Sequence, residues 1–215
     1  MKKKVIVSFS GGKDSMLSLH RAVENGYDPV ALMTTVNKGK GESWFHDISI
    51  EYLKKVSCSL DIPLLLVECS GDNYETTFEK ALEQMKGLGV EGCIFGDIDI
   101  TSHKEWCVNR CDAVGIEAIF PLWQQERERL VNEFIDLGYK AIIKKVNLEK
   151  MGSEFLGKIL TKQLLEEIKK TGSDVCGENG EYHTFVFNGP LFKNEVLVKI
   201  NEIKIDEKPS QLIFY

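Results

Sequence analysis

No apolar run in this chain approaches the roughly 20 residues that a bilayer-spanning helix needs, which excludes a transmembrane helix. Met1-Lys2-Lys3-Lys4 imitates the start of a signal peptide, but the apolar stretch behind it is far too short and no cleavage site follows. A cytoplasmic location is therefore expected. Positive charge is also scarce: 27 Lys and Arg against 33 Asp and Glu leave a net charge of −6. That argues against a broad nucleic-acid surface, although a small basic pocket stays open. No Cys-x-x-Cys occurs, and the six cysteines are spread thinly, as reduced thiols rather than a disulfide scaffold would be. Cys107 and Cys111 could share a helix face, but further zinc ligands at workable spacing are missing. There is no internal repeat, no low-complexity segment and no flexible linker.

What is present is ample for a core. The 215 residues are 43% hydrophobic, enough for one medium domain or for a domain with a smaller partner. Up to about residue 121, strand-like and helix-like segments alternate. Strands are expected at Lys4–Phe9, Pro29–Val36, Pro63–Glu68, Gly92–Ile98 and Glu117–Pro121. Helices are expected at Ser15–Glu24, Asp47–Leu60, Tyr74–Met85 and Ser102–Val114. Apolar strands alternating with amphipathic helices imply an α/β fold, a doubly wound parallel sheet covered on both faces. Ligands of such sheets bind beyond the carboxyl ends of the strands, where strand order reverses. From Trp123 onward the character changes: a helix at Glu126–Leu137, a strand at Tyr139–Val146, a long amphipathic helix at Ser153–Lys169, a polar loop, then strands at Tyr182–Phe187, Val196–Ile205 and Gln211–Phe214. Lys2-Lys3-Lys4 and Lys144-Lys145 are expected to be solvated surface.

Two stretches stand apart. The first is Ser8-Phe9-Ser10-Gly11-Gly12-Lys13-Asp14-Ser15, directly after Val5-Ile6-Val7. A β-branched run that breaks into Gly-Gly and then opens a helix presents backbone N–H groups to an anion. Ser10 and Ser15 add hydroxyls, Lys13 a positive charge, and Asp14 a carboxylate suited to a metal ion that itself holds phosphate. The pattern is not Gly-x-x-x-x-Gly-Lys-Ser/Thr, because no glycine stands at the required place before Gly12. Its six residues Ser-Gly-Gly-Lys-Asp-Ser resemble the pyrophosphate (PP) loop of the ATP pyrophosphatases, which cleave ATP between the α and β phosphates and form adenylated intermediates.

The second stretch is Asp174-Val-Cys-Gly-Glu-Asn-Gly-Glu-Tyr-His-Thr184. Gly177 and Gly180 permit turns that would bring Glu178 and Glu181 together. Paired carboxylates could hold an ammonium, position an amine nucleophile or hold Mg²⁺, and His183 could act as a base or bind a substrate carboxyl. The plain alternative is a polar loop leading into a strand.

Taken in order, Ser-Gly-Gly-Lys-Asp-Ser, Gly96-Asp97-Ile98, Phe120-Pro121-Leu122-Trp123 and Gly177-Glu178-Asn179-Gly180-Glu181-Tyr182-His183-Thr184 resemble the diphthine–ammonia ligase family across essentially the whole chain. The resemblance implies a five-stranded adenine nucleotide α-hydrolase-like (HUP-type) domain over 1–122 and a smaller α+β substrate domain over 123–215. It implies ATP with Mg²⁺, adenylation of a carboxylate, and displacement of AMP by ammonia. Carried onto this chain, Ser8, Ser10, Gly11, Gly12, Lys13, Asp14 and Ser15 hold the phosphates. Met33-Thr34 meets adenine through its backbone, and Gly96 and Asp97 border the nucleotide. Asp14 is the Mg²⁺ ligand. Gly177, Glu178, Asn179, Gly180, Glu181, His183 and Thr184 line the acid substrate, with Lys13, Asp14, Glu178, Glu181 and His183 carrying the chemistry. The acid is diphthine on elongation factor 2 or another carboxylic acid.

Two other classes compete. A tRNA-modifying ATP pyrophosphatase usually needs a reactive cysteine pair and a basic surface, and both are missing here. A non-catalytic ATP-sensing module would not need the second polar cluster. Among the remaining residues, His46 lies in a loop (Lys38–Ser43 precedes it) that reads equally as a lid or a surface connection. Arg110, four residues after Trp106, suits pairing with an acid more than phosphate, and Trp123 suits packing. His20 and His103 have no visible partners. The apolar segment Leu212-Ile213-Phe214-Tyr215 could pair across a homodimer.

Overall fold

The computed structural model describes the backbone of residues 2–204 and 210–214, and the side chains of 2–200 and 202–204. The chain divides into two compact units, one of residues 1–10 with 14–125, the other of 11–13 with 126–215.

The first unit is a parallel five-stranded sheet of order β3-β2-β1-β4-β5. Its strands are β1 (Lys4–Ser8), β2 (Asp28–Asn37), β3 (Leu64–Cys69), β4 (Gly92–Ile94) and β5 (Glu117–Ile119). The helices α1 (Lys13–Glu24), α2 (Ile50–Leu60), α3 (Tyr74–Gly87) and α4 (Thr101–Val114) follow β1 to β4 in turn. Val5, Ile6 and Val7 are completely buried, as a central strand covered on both faces requires. Ile6, Met33, Val67, Cys93 and Phe95 of the sheet side pack with Phe78 and Leu82 of α3 and Cys107 and Cys111 of α4. The two cysteines do share a buried face, and desolvation raises the Cys107 thiol well above the usual range. From β1 the chain builds outward to β2 and β3, then crosses to β4 and β5 on the other side. The switch point between β1 and β4 is thus where a doubly wound sheet opens a crevice.

The second unit holds a four-stranded antiparallel sheet of order β7-β6-β9-β8, built from β6 (Lys140–Val146), β7 (Tyr182–Asn188), β8 (Ile200–Lys204) and β9 (Ser210–Phe214). Helices α5 (Arg127–Asp136) and α6 (Lys162–Lys170) bury Leu130, Val131 and Phe134, and Leu164, Leu165 and Ile168. Ile205, the expected end of one strand, and Tyr215, of the apolar segment that could pair across a homodimer, lie outside the described residues.

Two sequence expectations fail here for clear reasons. The helix expected over 153–169 is helical only from Lys162, apart from a short 3₁₀ turn at Ser153–Phe155. Gly157 takes φ 78°, outside the helical region. The next residues hydrogen-bond along β6 instead: Ile143 N to Lys158 O and Leu160 N to Ala141 O. Thr161 then caps α6, its side chain accepting from Leu164 N at 3.1 Å. Lys144, expected on the surface, is 3% exposed. The β6–β7 register shifts between Ile143 and Lys145, and the extra residue of that bulge is Lys144.

Candidate functional site

β1 ends at Ser8, and Phe9 continues the pairing by donating its N–H to Met33 O at 2.8 Å. Gly11 takes φ 82°, which a residue with a Cβ rarely adopts, and this turns the chain out of the strand and toward α1. Ser10 Oγ and Ser15 Oγ lie 3.2 Å apart, bridging the turn. Behind it, Ser18 Oγ donates to Phe95 O at 3.1 Å and Arg21 Nη1 to Pro121 O at 2.8 Å, so α1 is fixed to the segments after β4 and β5.

Gly96 lies directly after this region of β4. A Cβ there would stand 3.0 Å from Ser15 N and 3.1 Å from the Asp14 carbonyl carbon. The backbone after β4 therefore passes against the first turn of α1, at the switch point. Asp97 is held above the ordinary carboxylate range, mainly by burial, with the charge of Asp14 adding to it and His103 and Cys107 opposing. Cys107 Sγ donates to Asp97 Oδ2 at 3.8 Å, and His103 Nδ1 stands 3.7 Å from Asp97 Oδ1. His103 thus has the partner that the sequence did not reveal. Asp14 and Asp97 carry oxygen donors of the kind Mg²⁺ takes, and the glycine turn that opens α1 suits a polyphosphate.

Met33 and Thr34 are inside β2, which runs on to Asn37. They mark the place where β1 stops pairing with it. Both are buried, and Thr34 Oγ1 donates to Phe9 O at 2.6 Å. The loop after β2 is a folded turn: Val36 bridges Ser43, Glu42 bridges Ser49, and Trp44 N donates to Thr35 O at 3.0 Å. Trp44 and Phe45 pack on Tyr74, with ring centroids 5.3 and 6.2 Å away. Arg110 pairs with Glu75 and Glu79, at 2.6 and 3.1 Å, as its surroundings in sequence suggested. Trp123 packs against Phe120 and lies under the Lys104 ammonium, 4.3 Å from the ring centroid.

In the second unit, residues 11–13 lie along β7. Val186 N donates to Gly11 O at 2.9 Å and Lys13 N to Thr184 Oγ1 at 3.0 Å. Lys13 is 4% exposed, with its Nζ 5.6 Å from the Tyr182 ring centroid. Thr184 Oγ1 thus holds the glycine turn.

The loop between α6 and β7 is organised by its own acids. Asp174 Oδ1 accepts from Cys176 N and Oδ2 from Glu178 N, each at 3.1 Å. Glu181, 4% exposed, accepts from Asp174 N at 3.2 Å, Asn179 N at 3.0 Å and Asn179 Nδ2 at 3.2 Å. Gly177 and Gly180 both take positive φ, 73° and 78°, as the turn reading required. Tyr182 anchors the loop by donating its hydroxyl to Val175 O at 2.5 Å, and Lys150 Nζ donates to Asn179 O. Glu181 thus engages the loop backbone with both carboxylate oxygens. His183 sits opposite Lys145 in the β6–β7 register. Arg127 was missed entirely: its Nη1 donates to Asp174 Oδ2 at 2.7 Å and to Asn179 Oδ1 at 3.2 Å. Nothing in the local sequence signals a pairing that spans 47 positions.

Comparison with known proteins gives these loops a setting. The family model described as the diphthamide synthase N-terminal domain matches residues 3–118, and that of the diphthamide synthase C-terminal domain matches 126–212. A Mus musculus protein named diphthine–ammonia ligase is 31% identical over 93% of this chain and 84% of its own length. The Homo sapiens protein of the same name is 30% identical over 94% of this chain and 85% of its own. A solved structure from Methanocaldococcus jannaschii, described as a predicted subunit of tRNA methyltransferase, covers 90% of this chain and 100% of its own at 18% identity and a TM-score of 0.45. Both halves of one two-part family are matched in order, and the glycine turn and the acid-braced loop each fall inside a matched half. The chain belongs to the diphthamide synthase family.

Proposed function

We propose that this chain is an ATP-dependent, AMP-forming ligase that converts a carboxylate into an amide with ammonia, and that its acid substrate is diphthine. The observation that carries the reading is the pairing of a polyphosphate-type turn at a topological switch point with a second loop whose acids are pre-arranged. Residues 1–122 supply the nucleotide side and residues 123–215 the acid side.

The substrate carboxylate attacks the α-phosphorus of ATP. A C–O–P bond forms, the α–β bridging P–O bond breaks, and pyrophosphate leaves. Lys13, the N–H groups of Gly11 and Gly12 and the N-terminal end of α1 stabilise the charge on that leaving group. Ser8, Ser10 and Ser15 orient the phosphates. Mg²⁺, where Asp14 and Asp97 hold it, supplies further charge neutralisation. The backbone at Met33-Thr34 and Gly96 borders the nucleotide.

Ammonia then attacks the acyl carbon, a C–N bond forms, the C–O bond to AMP breaks and AMP leaves. Glu178 holds the incoming ammonium and takes its proton, because only the free base is a nucleophile. Asn179 and His183 face the substrate, while Glu181 keeps the loop in shape. No covalent protein nucleophile is required.

The test is product analysis with Mg-ATP, ammonium and diphthine-bearing elongation factor 2. AMP, pyrophosphate and amidated factor are expected together. AMP formed only with other carboxylic acids would overturn the substrate assignment and keep the chemistry. ATP left intact with every acid would overturn the ligase reading.

A further inference from the structure

Arg127 lies in neither motif, yet its guanidinium spans the acid-braced loop. It opens α5, and its Nη1 reaches both Asp174 Oδ2 and Asn179 Oδ1, at 2.7 and 3.2 Å. Asp174 in turn accepts the N–H groups of Cys176 and Glu178, each at 3.1 Å. Asn179 is also tied to Glu181 through its N–H and its side-chain amide. Glu178 is therefore flanked by two residues that one guanidinium grips. The Arg127 and Asp174 side chains are 25% and 12% exposed, so the contact is shielded enough for a charge-assisted hydrogen bond to hold a geometry.

We propose that Arg127 is a positioning residue of the amidation reaction, which fixes Asp174 and Asn179 so that Glu178 meets the ammonia nucleophile in one orientation. This rests on the ligase reading above, in which Glu178 acts on ammonium. Arg127 itself need not touch substrate. A displacement of about 1 Å in a catalytic group can cost on the order of 10²-fold in rate, so a brace of this kind carries weight without contact.

The experiment compares Arg127→Ala, Arg127→Lys, Asp174→Ala and the Arg127→Ala/Asp174→Ala double variant. Turnover is read with Mg-ATP, ammonium and diphthine-bearing elongation factor 2, ATP affinity by calorimetry, and loop order by hydrogen exchange. Arg127→Ala is expected to lower kcat by about 10- to 100-fold and to raise the KM for ammonium, with ATP affinity unchanged. Exchange at the amides of Cys176, Glu178 and Asn179 rises, while the β1 and β4 amides stay protected. Arg127→Lys keeps the charge but loses the planar fork, so it restores activity in part and guards against loss of the fold as the cause. The double variant falls no further than the worse single one, because both act through the same contact. Wild-type turnover in Arg127→Ala, or lost turnover with unchanged loop exchange, would overturn the proposal. If the wild-type protein forms no amide at all, the ligase reading is what fails, and the exchange arm alone then decides whether Arg127 holds the loop.

Discussion

The turn at residues 8–15 and the loop at residues 174–184 are both glycine-rich and polar, yet they are built by opposite means. In the first, the backbone carries the shape. Buried strand β1 and helix α1 fix the ends, Gly11 makes the turn, and the side chains Ser10 and Ser15 bridge it. In the second, side chains fold the backbone. Asp174 and Glu181 spend their oxygens on loop N–H groups, and Arg127 locks the result from α5. The difference teaches that an acidic cluster is not a count of catalytic acids. Of the three acids between 174 and 181, Asp174 and Glu181 brace the loop backbone, and Glu178 is the one the proposed mechanism assigns to ammonia.

Five substitutions sharpen that contrast. The largest effect is expected at Lys13, where Lys13→Met removes the charge that, in the proposed mechanism, faces the departing pyrophosphate. AMP formation should fall on the order of 10²–10³-fold, measured by single-turnover kinetics. A fall of less than about tenfold would mean that the backbone alone does the work.

Next, Glu181→Ala leaves the N–H groups of Asp174 and Asn179 without their acceptor, at a cost of about 1–3 kcal/mol for each buried group left unsatisfied. Glu178→Ala should lower ammonia-dependent turnover far more than it lowers the melting temperature. Equal stability losses in the two variants, by thermal denaturation, would erase the distinction between scaffold and actor.

A smaller effect is expected at Gly96→Ala. The added Cβ would meet backbone at 3.0 Å, so α1 and the segment after β4 must separate slightly. The strain is about 1–3 kcal/mol, and ATP affinity should drop with it. Calorimetry showing native ATP binding would contradict the close approach.

The smallest effect is at Asp97. Burial raises its carboxyl above the ordinary value of 3.8, so the folded chain binds that proton more tightly than the unfolded one. Stability from this residue is highest at acid pH and is lost as pH rises from 3.8 through the raised native value. Asp97→Asn should therefore raise the melting temperature near pH 7 but scarcely at pH 4, while weakening Mg-ATP binding. A lower melting temperature at pH 7 would show that the ionised form is stabilising instead.

Much of this architecture was legible because it follows from local pattern. Val5-Ile6-Val7 before Gly-Gly announces a buried strand feeding a turn, and the alternation behind it announces the parallel sheet. The 153–169 segment misled because its apolar spacing at Phe155, Leu156, Ile159 and Leu160 satisfies a helix, whereas residues 157–160 bond along β6. Lys144 misled because a bulge, invisible in sequence, inserts it into the sheet. The members of the 174–184 loop were legible, but their division of labour was not. Which carboxylate accepts which N–H depends on turn geometry at Gly177 and Gly180 and on an arginine far away in the chain.

The most direct test of the central claim follows oxygen. The acid substrate, labelled with ¹⁸O in its carboxylate, is incubated with Mg-ATP and ammonium. Adenylation predicts one labelled oxygen in the phosphate of AMP and none in pyrophosphate. Label in inorganic phosphate, with ADP as the product, would contradict the account and replace the acyl-adenylate with an acyl phosphate.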